Sequence, residues 1–193
     1  MDNNTLLKGT SVQLLPFETK HWSDIARWFY DKDYKEFFRQ FTKVLTEEDF
    51  QNYPKAVGGT IFMVHSLLDN NIIGLVQVIP CFKKNKGAYI GVIIDKASQK
   101  KHLPSEVMLI LLDHLFNRDG YNKVVIEILE SNEGLKRVLE KTGFYKEGKL
   151  LQECFMDGRF RNELRYSMSN YYFNKFKSKL EQEYKQWAHS LKK

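Results

Sequence analysis

The stretch that most constrains this chain runs from Gly87 to Phe116. Its first part, Gly-Ala-Tyr-Ile-Gly-Val-Ile-Ile-Asp, is apolar, β-branched and of strand length. A polar, basic connection follows, Lys-Ala-Ser-Gln-Lys-Lys-His from Lys96 to His102. Leu103-Pro104-Ser105-Glu106 then opens a run from Val107 to Phe116 that is too long for a buried strand and amphipathic at helical spacing. The chain therefore passes from a strand through a basic loop into a helix start. The first turn of a helix leaves backbone N–H groups unpaired and carries a partial positive charge. A strand delivering the chain to such an end makes a ready anion site.

The remaining elements read in order. Gly9 to Phe17 predicts a first strand stopped by Pro16. His21 to Tyr30 predicts a helix with Trp22, Ile25, Ala26, Trp28 and Phe29 on one broad face. The aromatics Tyr34, Phe37, Phe38 and Phe41 follow. At helical spacing such residues are more often core, although they could line an acceptor groove. Thr46-Glu47-Glu48-Asp49 starts a short helix ending near Tyr53-Pro54. After Gly58-Gly59, Thr60–Leu67 and Ile72–Pro80 flank a turn at Asp69-Asn70-Asn71, which predicts a hairpin.

Beyond the central helix, which should stop near Gly120, Lys123–Leu129 reads as a buried strand. Ser131-Asn132 caps a helix from Glu133 to Thr142 that stops at Gly143. Two last strands, from Phe144 to about Phe155 and from Phe160 to Met168, flank an Asp157-Gly158 hairpin turn. From Asn170 onward, Phe173, Phe176, Leu180, Tyr184, Trp187 and Leu191 form a narrow apolar stripe. That helix packs either on its own domain or on another chain as a homodimer contact. The sum is one α/β domain over residues 1–169, a mixed and mostly antiparallel seven-stranded sheet with helices on both faces, followed by the helix of 170–193.

Composition narrows the function. The net charge of +6 comes from scattered Lys and Arg, without a basic block interleaved with aromatics. It suits an anionic cofactor or an acidic partner and argues against nucleic acid. No apolar run approaches a membrane span, and the start is no signal peptide. Two cysteines without CxxC spacing, and five dispersed histidines, suggest neither a disulfide framework nor a metal site and point to the cytoplasm.

Several motifs resemble one family at matching spacing. Ile90–Asp95 looks like the strand that precedes the acetyl-CoA loop in the GNAT superfamily of N-acetyltransferases, closest to its RimJ/RimL-like branch. Gln99, Lys101 and Glu106 sit where that branch's Gln-Gly-Lys-Gly-x-x-Thr-Glu loop has Gln, Lys and Glu. Asn132 lies at the expected distance before Gly143-Phe144, and Val138–Phe144 with Glu147-Gly148 is nearly verbatim. Asp157-Gly158 and Tyr166-Ser167-Met168 match the closing hairpin.

The resemblance implies acetyl-CoA as co-substrate and a primary amine, small or a protein N-terminus, as acceptor. It implies cofactor contacts from Ile94, Asp95, Gln99, Lys100, Lys101, His102, Leu103, Ser105 and Asn132. A backbone N–H of Ile93 or Ile94 would hold the thioester oxygen, and Glu127 is a candidate base, with His65 and Glu36 as others.

Departures from the family pattern matter physically. Lys100, His102 and Pro104 replace small loop residues, so the loop gains bulk and charge and loses an N–H donor. The positions that elsewhere serve the leaving thiolate are Leu135 and Leu139. Two alternatives therefore stand beside the acetyltransferase: a catalytically degenerate binding or regulatory protein of the same fold, and an acyltransferase with a non-CoA donor such as an acyl carrier protein.

Overall fold

The computed structural model describes residues 7–38, 46–81, 83–99 and 102–190. The strands are β1 (Leu7–Lys8), β2 (Val12–Pro16), β3 (Thr60–Ser66), β4 (Asn71–Cys81), β5 (Gly87–Ile94), β6 (Lys123–Leu129), β7 (Tyr145–Met156) and β8 (Arg159–Ser169). The helices are α1 (Trp22–Tyr30), α2 (Glu47–Val57), α3 (Lys96–Gln99), α4 (Leu103–Asn117), α5 (Glu133–Lys141) and α6 (Asn170–Ser190). They build one mixed sheet in the order β1-β2-β3-β4-β5-β6-β8-β7, in which only β5 and β6 run parallel.

Alternation along the strands sorts the core into two layers. Val76, Val78, Ile90, Val124, Ile126 and Ile128 pack under α4, α5 and the start of α6, represented by Leu111, Leu112, Leu139 and Phe173. On the opposite face Ile61, Met63, Leu75 and Ile93 meet Ile25, Trp28, Phe38 and Phe50. The α6 base rests on α4, with the Phe116 and Phe173 ring centroids 5.4 Å apart and a Lys177–Asp113 ion pair. The side chains of Tyr184 and Trp187, and residues Phe41, Lys100, Lys101 and Leu191, lie outside what the structure describes.

Three boundaries differ from expectation. The sheet has eight strands, because a short strand, β1, precedes the expected first strand and pairs antiparallel with its β2 part, while Gly9–Ser11 form the turn between them. The cause is Glu106. Its buried carboxylate accepts from Thr10 N–H at 2.6 Å and Ser11 N–H at 3.2 Å, which turns the chain at Gly9–Ser11. A Cβ on Gly9 would fall 2.2 Å from Glu106 Oε1, so only glycine fits there. Second, α2 continues past Pro54 to Val57, and its stop is Gly58 at φ +64°. Third, the polar connection after β5 contains the helical turn α3.

Other turns follow the residue chemistry. Thr46 Oγ1 caps α2 by accepting from Asp49 N–H at 3.1 Å. Asp157 and Gly158 take φ of +52° and +76°, the left-handed pair that closes a tight hairpin.

Truncating Glu106 to Ala leaves the buried Ser11 N–H and the partly buried Thr10 N–H unpaired, and the expected loss is about 1–3 kcal/mol. Urea denaturation checks this, and Glu106→Gln, which keeps one acceptor oxygen, should recover part of it.

Candidate active site

The site arises where β5 and β6 part. They pair only at Gly87↔Lys123, Ala88↔Val124 and Tyr89↔Val125. Each is held on its outer side for its full length, β5 by β4 and β6 by β8. The inner sides diverge into a cleft of about 840 Å³. Asp33, Tyr34, Glu36 and Phe37 roof it, on the segment after α1.

Strand alternation decides which backbone groups face this cleft. Asp95 N–H donates to Ile73 O on β4 at 2.7 Å. The Ile93 N–H therefore also points to β4, whereas the Ile94 N–H points into the cleft. The Ile94 carbonyl faces the same way and accepts from Gln99 Nε2 at 2.8 Å. On the other wall, Glu130 N–H donates to Asn162 O beside β8, so Leu129 N–H faces inward. It donates to Glu36 Oε1 at 2.5 Å. Asn132 Nδ2 donates to Glu36 Oε2 at 2.8 Å, while Asn132 Oδ1 caps α5 by accepting from Leu135 N–H at 3.0 Å. Glu36 thus bridges the roof to the β6 wall.

The helix start beyond β5 is altered as its residues require. His102 caps α4 at φ +55°, the left-handed conformation that favours glycine. Pro104 has no N–H, and the N–H groups of Ser105 and Glu106 turn back to the His102 carbonyl at 3.1 and 3.3 Å. Leu103 keeps its N–H, but its side chain is fully buried in the core. Lys141, at the end of α5, places Nζ 2.8 Å from His102 Nδ1. Burial, then the Lys141 ammonium, pushes the His102 imidazole below its ordinary 6.5.

The remaining wall lies on the sheet face toward α1. Arg165 holds Glu127, with Nε and Nη2 at 2.7 and 2.6 Å from Oε1. Tyr89 faces the same space, its phenol raised above 10.0 by burial and then by the Glu127 charge. Gln77 on β4 pairs across the sheet with Gly91, over which the Phe37 ring lies: a Cβ at Gly91 would fall 2.8 Å from Phe37 Cε2.

The structure brings Ile93, Ile94, Gln99, Glu127 and Asn132 to one cleft. Two of the candidate groups face elsewhere. Asp95 turns its carboxylate to α1, where it takes Trp28 Nε1 at 2.5 Å and Arg27 Nη2 at 3.1 Å, so its side chain braces the fold. Between the two backbone candidates for the thioester oxygen, Ile93 points to β4 and Ile94 into the cleft. His65 is distant in role, bonded to Gln13 between β2 and β3. Lys100 and Lys101 lie outside the described residues. Sequence reasoning missed Gln77, Tyr89 and Arg165. A lone glutamine inside an apolar strand was the available signal for the first.

Two substitutions test this geometry. His102→Gly should stabilise the protein by about 1 kcal/mol by relieving the left-handed strain. The native state disfavours imidazolium here, so wild type loses stability as pH falls through 6.5. The gain from His102→Gly should therefore be larger at about pH 5 than at about pH 8. Asn132→Ala removes a cap and should cost about 1 kcal/mol. Thermal melts across pH check both.

Comparison with known proteins agrees with this architecture. Residues 11–145 match the family described as "Acetyltransferase (GNAT) domain". "Probable N-acetyltransferase YjcK" of Bacillus subtilis (strain 168) is 24% identical over 156 residues, 74% of this chain and 85% of that protein. Spermidine N(1)-acetyltransferase of Vibrio cholerae serotype O1 is 28% identical over 106 residues, 54% of this chain and 61% of that protein. The crystal structure of spermidine N-acetyltransferase from Vibrio cholerae in complex with CoA and spermine superposes with a TM-score of 0.76 at 19% identity, covering 86% of this chain and 99% of that one. With a family match across most of its length and the parted strands that open the cleft, this chain belongs to the GNAT acetyltransferase family, for which acetyl-CoA is the co-substrate.

Proposed function

We propose that this chain transfers acetyl from acetyl-CoA to a primary amine by direct attack in a ternary complex, as a member of the RimJ/RimL-like branch. The observation that carries the reading is the Ile94 N–H, set by strand alternation to face the cleft where β5 leaves β6. Bound acetyl-CoA supplies the activated acyl carbon. The Ile94 N–H donates to the thioester oxygen as charge develops there, a fixed dipole that needs no reorganisation. The Leu129 N–H and the Asn132 amide serve the amide groups of the pantetheine arm once the Glu36 carboxylate lets them go.

The phosphates meet fewer backbone donors than a glycine loop supplies. Leu103 N–H remains, and Lys100, Lys101, Lys141, the His102 Nε2–H and the Ser105 hydroxyl add side-chain donors. Gln99 keeps the end of β5 in place through the Ile94 carbonyl.

Glu127, held in place by Arg165, lies on the wall the amine approaches, and the amine gives its proton to solvent before attack. Leu135 and Leu139 have no proton for the departing thiolate, so solvent in the open cleft provides it. Orientation of two reactants is then the main source of rate. The cysteines Cys81 and Cys154 fit a reducing cytoplasm.

The amine specificity of the relatives makes spermidine the first acceptor to assay. The lost first-turn donors favour a second reading, a binding protein that kept the scaffold. A thiol-release assay over an amine panel, with acetyl-CoA calorimetry alongside, separates the two. Turnover with micromolar donor binding is expected. Donor binding without turnover supports the binding protein, and no donor binding at all defeats the CoA reading and favours another acyl donor.

A further inference from the structure

Gln77 is a buried polar side chain lining the cleft whose chemistry the reaction above leaves unused. It sits in the middle of β4, paired with Ile61 on β3 and Gly91 on β5. Only 6% of the residue is exposed, and its Nε2 has no hydrogen-bond partner among the described residues. A buried amide left unpaired costs stability, and every such group in a folded protein calls for an explanation. A leucine here would pack with Leu75 and Ile79 at no such cost. The neighbouring position, Gly91, carries no side chain, and Phe37 closes the space above it. Tyr89, at the last β5–β6 pair, and Glu127 line the same cleft.

Glu127 is already paired with Arg165, and Asp33 with Lys96. A polycation would bring only donors, since ammonium groups have no lone pair to offer an amide N–H.

We propose that Gln77 determines acceptor specificity, its amide N–H donating to a neutral oxygen, carbonyl or hydroxyl, close to the amine that is acetylated. The acceptor is then an oxygen-bearing primary amine and not a bare polyamine. Two sources share that chemistry, an α-amino amide as at a peptide N-terminus, and an amino sugar. This rests on the transferase reading and names the acceptor class for the same cleft.

The test titrates glycinamide, glucosamine and spermidine into the CoA-loaded protein by calorimetry, and measures KM and kcat for each. Wild type, Gln77→Leu and Gln77→Met are compared. Wild type should prefer one or both oxygen-bearing amines to spermidine, and which one identifies the source. Loss of the hydrogen bond should raise KM for that amine about tenfold in both variants. Donor binding and kcat should change little, and Gln77→Leu should melt no lower than wild type because an unpaired amide has gone. Turnover with spermidine preferred, or a preference unchanged in both variants, overturns the assignment while leaving the transferase standing. Absence of turnover with every amine takes down both together.

Discussion

The divergence of two parallel strands governs this molecule. Between strands that stay paired, every inward N–H and C=O is consumed by the ladder. β5 and β6 pair for three residues and then separate, each pinned by its antiparallel neighbour. The backbone groups of Ile94 on one wall and Leu129 on the other are thereby directed at a cleft instead of at each other. A flexible side chain holds its geometry only through packing, whereas these groups are fixed by the sheet itself. That suits a reaction in which placement and a waiting dipole do most of the work.

The loop beyond β5 holds a backbone conformation unusual for its residue. His102 keeps a left-handed conformation that glycine adopts without strain, and Pro104 occupies the first turn, where proline fits but donates nothing. On the proposed reading, an anion here would be held more by side chains than by main chain. Lys141 arrives from α5 and touches the His102 ring, joining two elements distant in sequence at the place where phosphate charge would lie. Glu106, near this loop in sequence, looks the other way. Buried, it folds the first hairpin onto α4.

Most of the fold was legible because its signals are local. β6 lies where a largely apolar, β-branched run predicted it, and the caps at Thr46 and Asn132 and the Asp157-Gly158 turn depend on residues within a few positions. The hairpin of β1 and β2 was not legible, since its cause is a carboxylate almost a hundred residues away. The cleft was half legible. Ile94, Gln99 and Asn132, named from motif spacing, line the cleft, yet that spacing could not tell the Ile93 N–H from that of Ile94, because strand phase decides which way each points. It also could not see that Asp95 turns to Trp28 and Arg27. Gln77, Tyr89 and Arg165 reach the site only through sheet register, which no local pattern records.

Amide hydrogen exchange with and without acetyl-CoA, resolved at single residues, probes this arrangement most directly. The Ile94 N–H should gain protection when the co-substrate binds, and the Ile93 N–H, already held by β4, should not change. Equal protection of the Ile94 amide in both states, with the co-substrate demonstrably bound, would contradict the account.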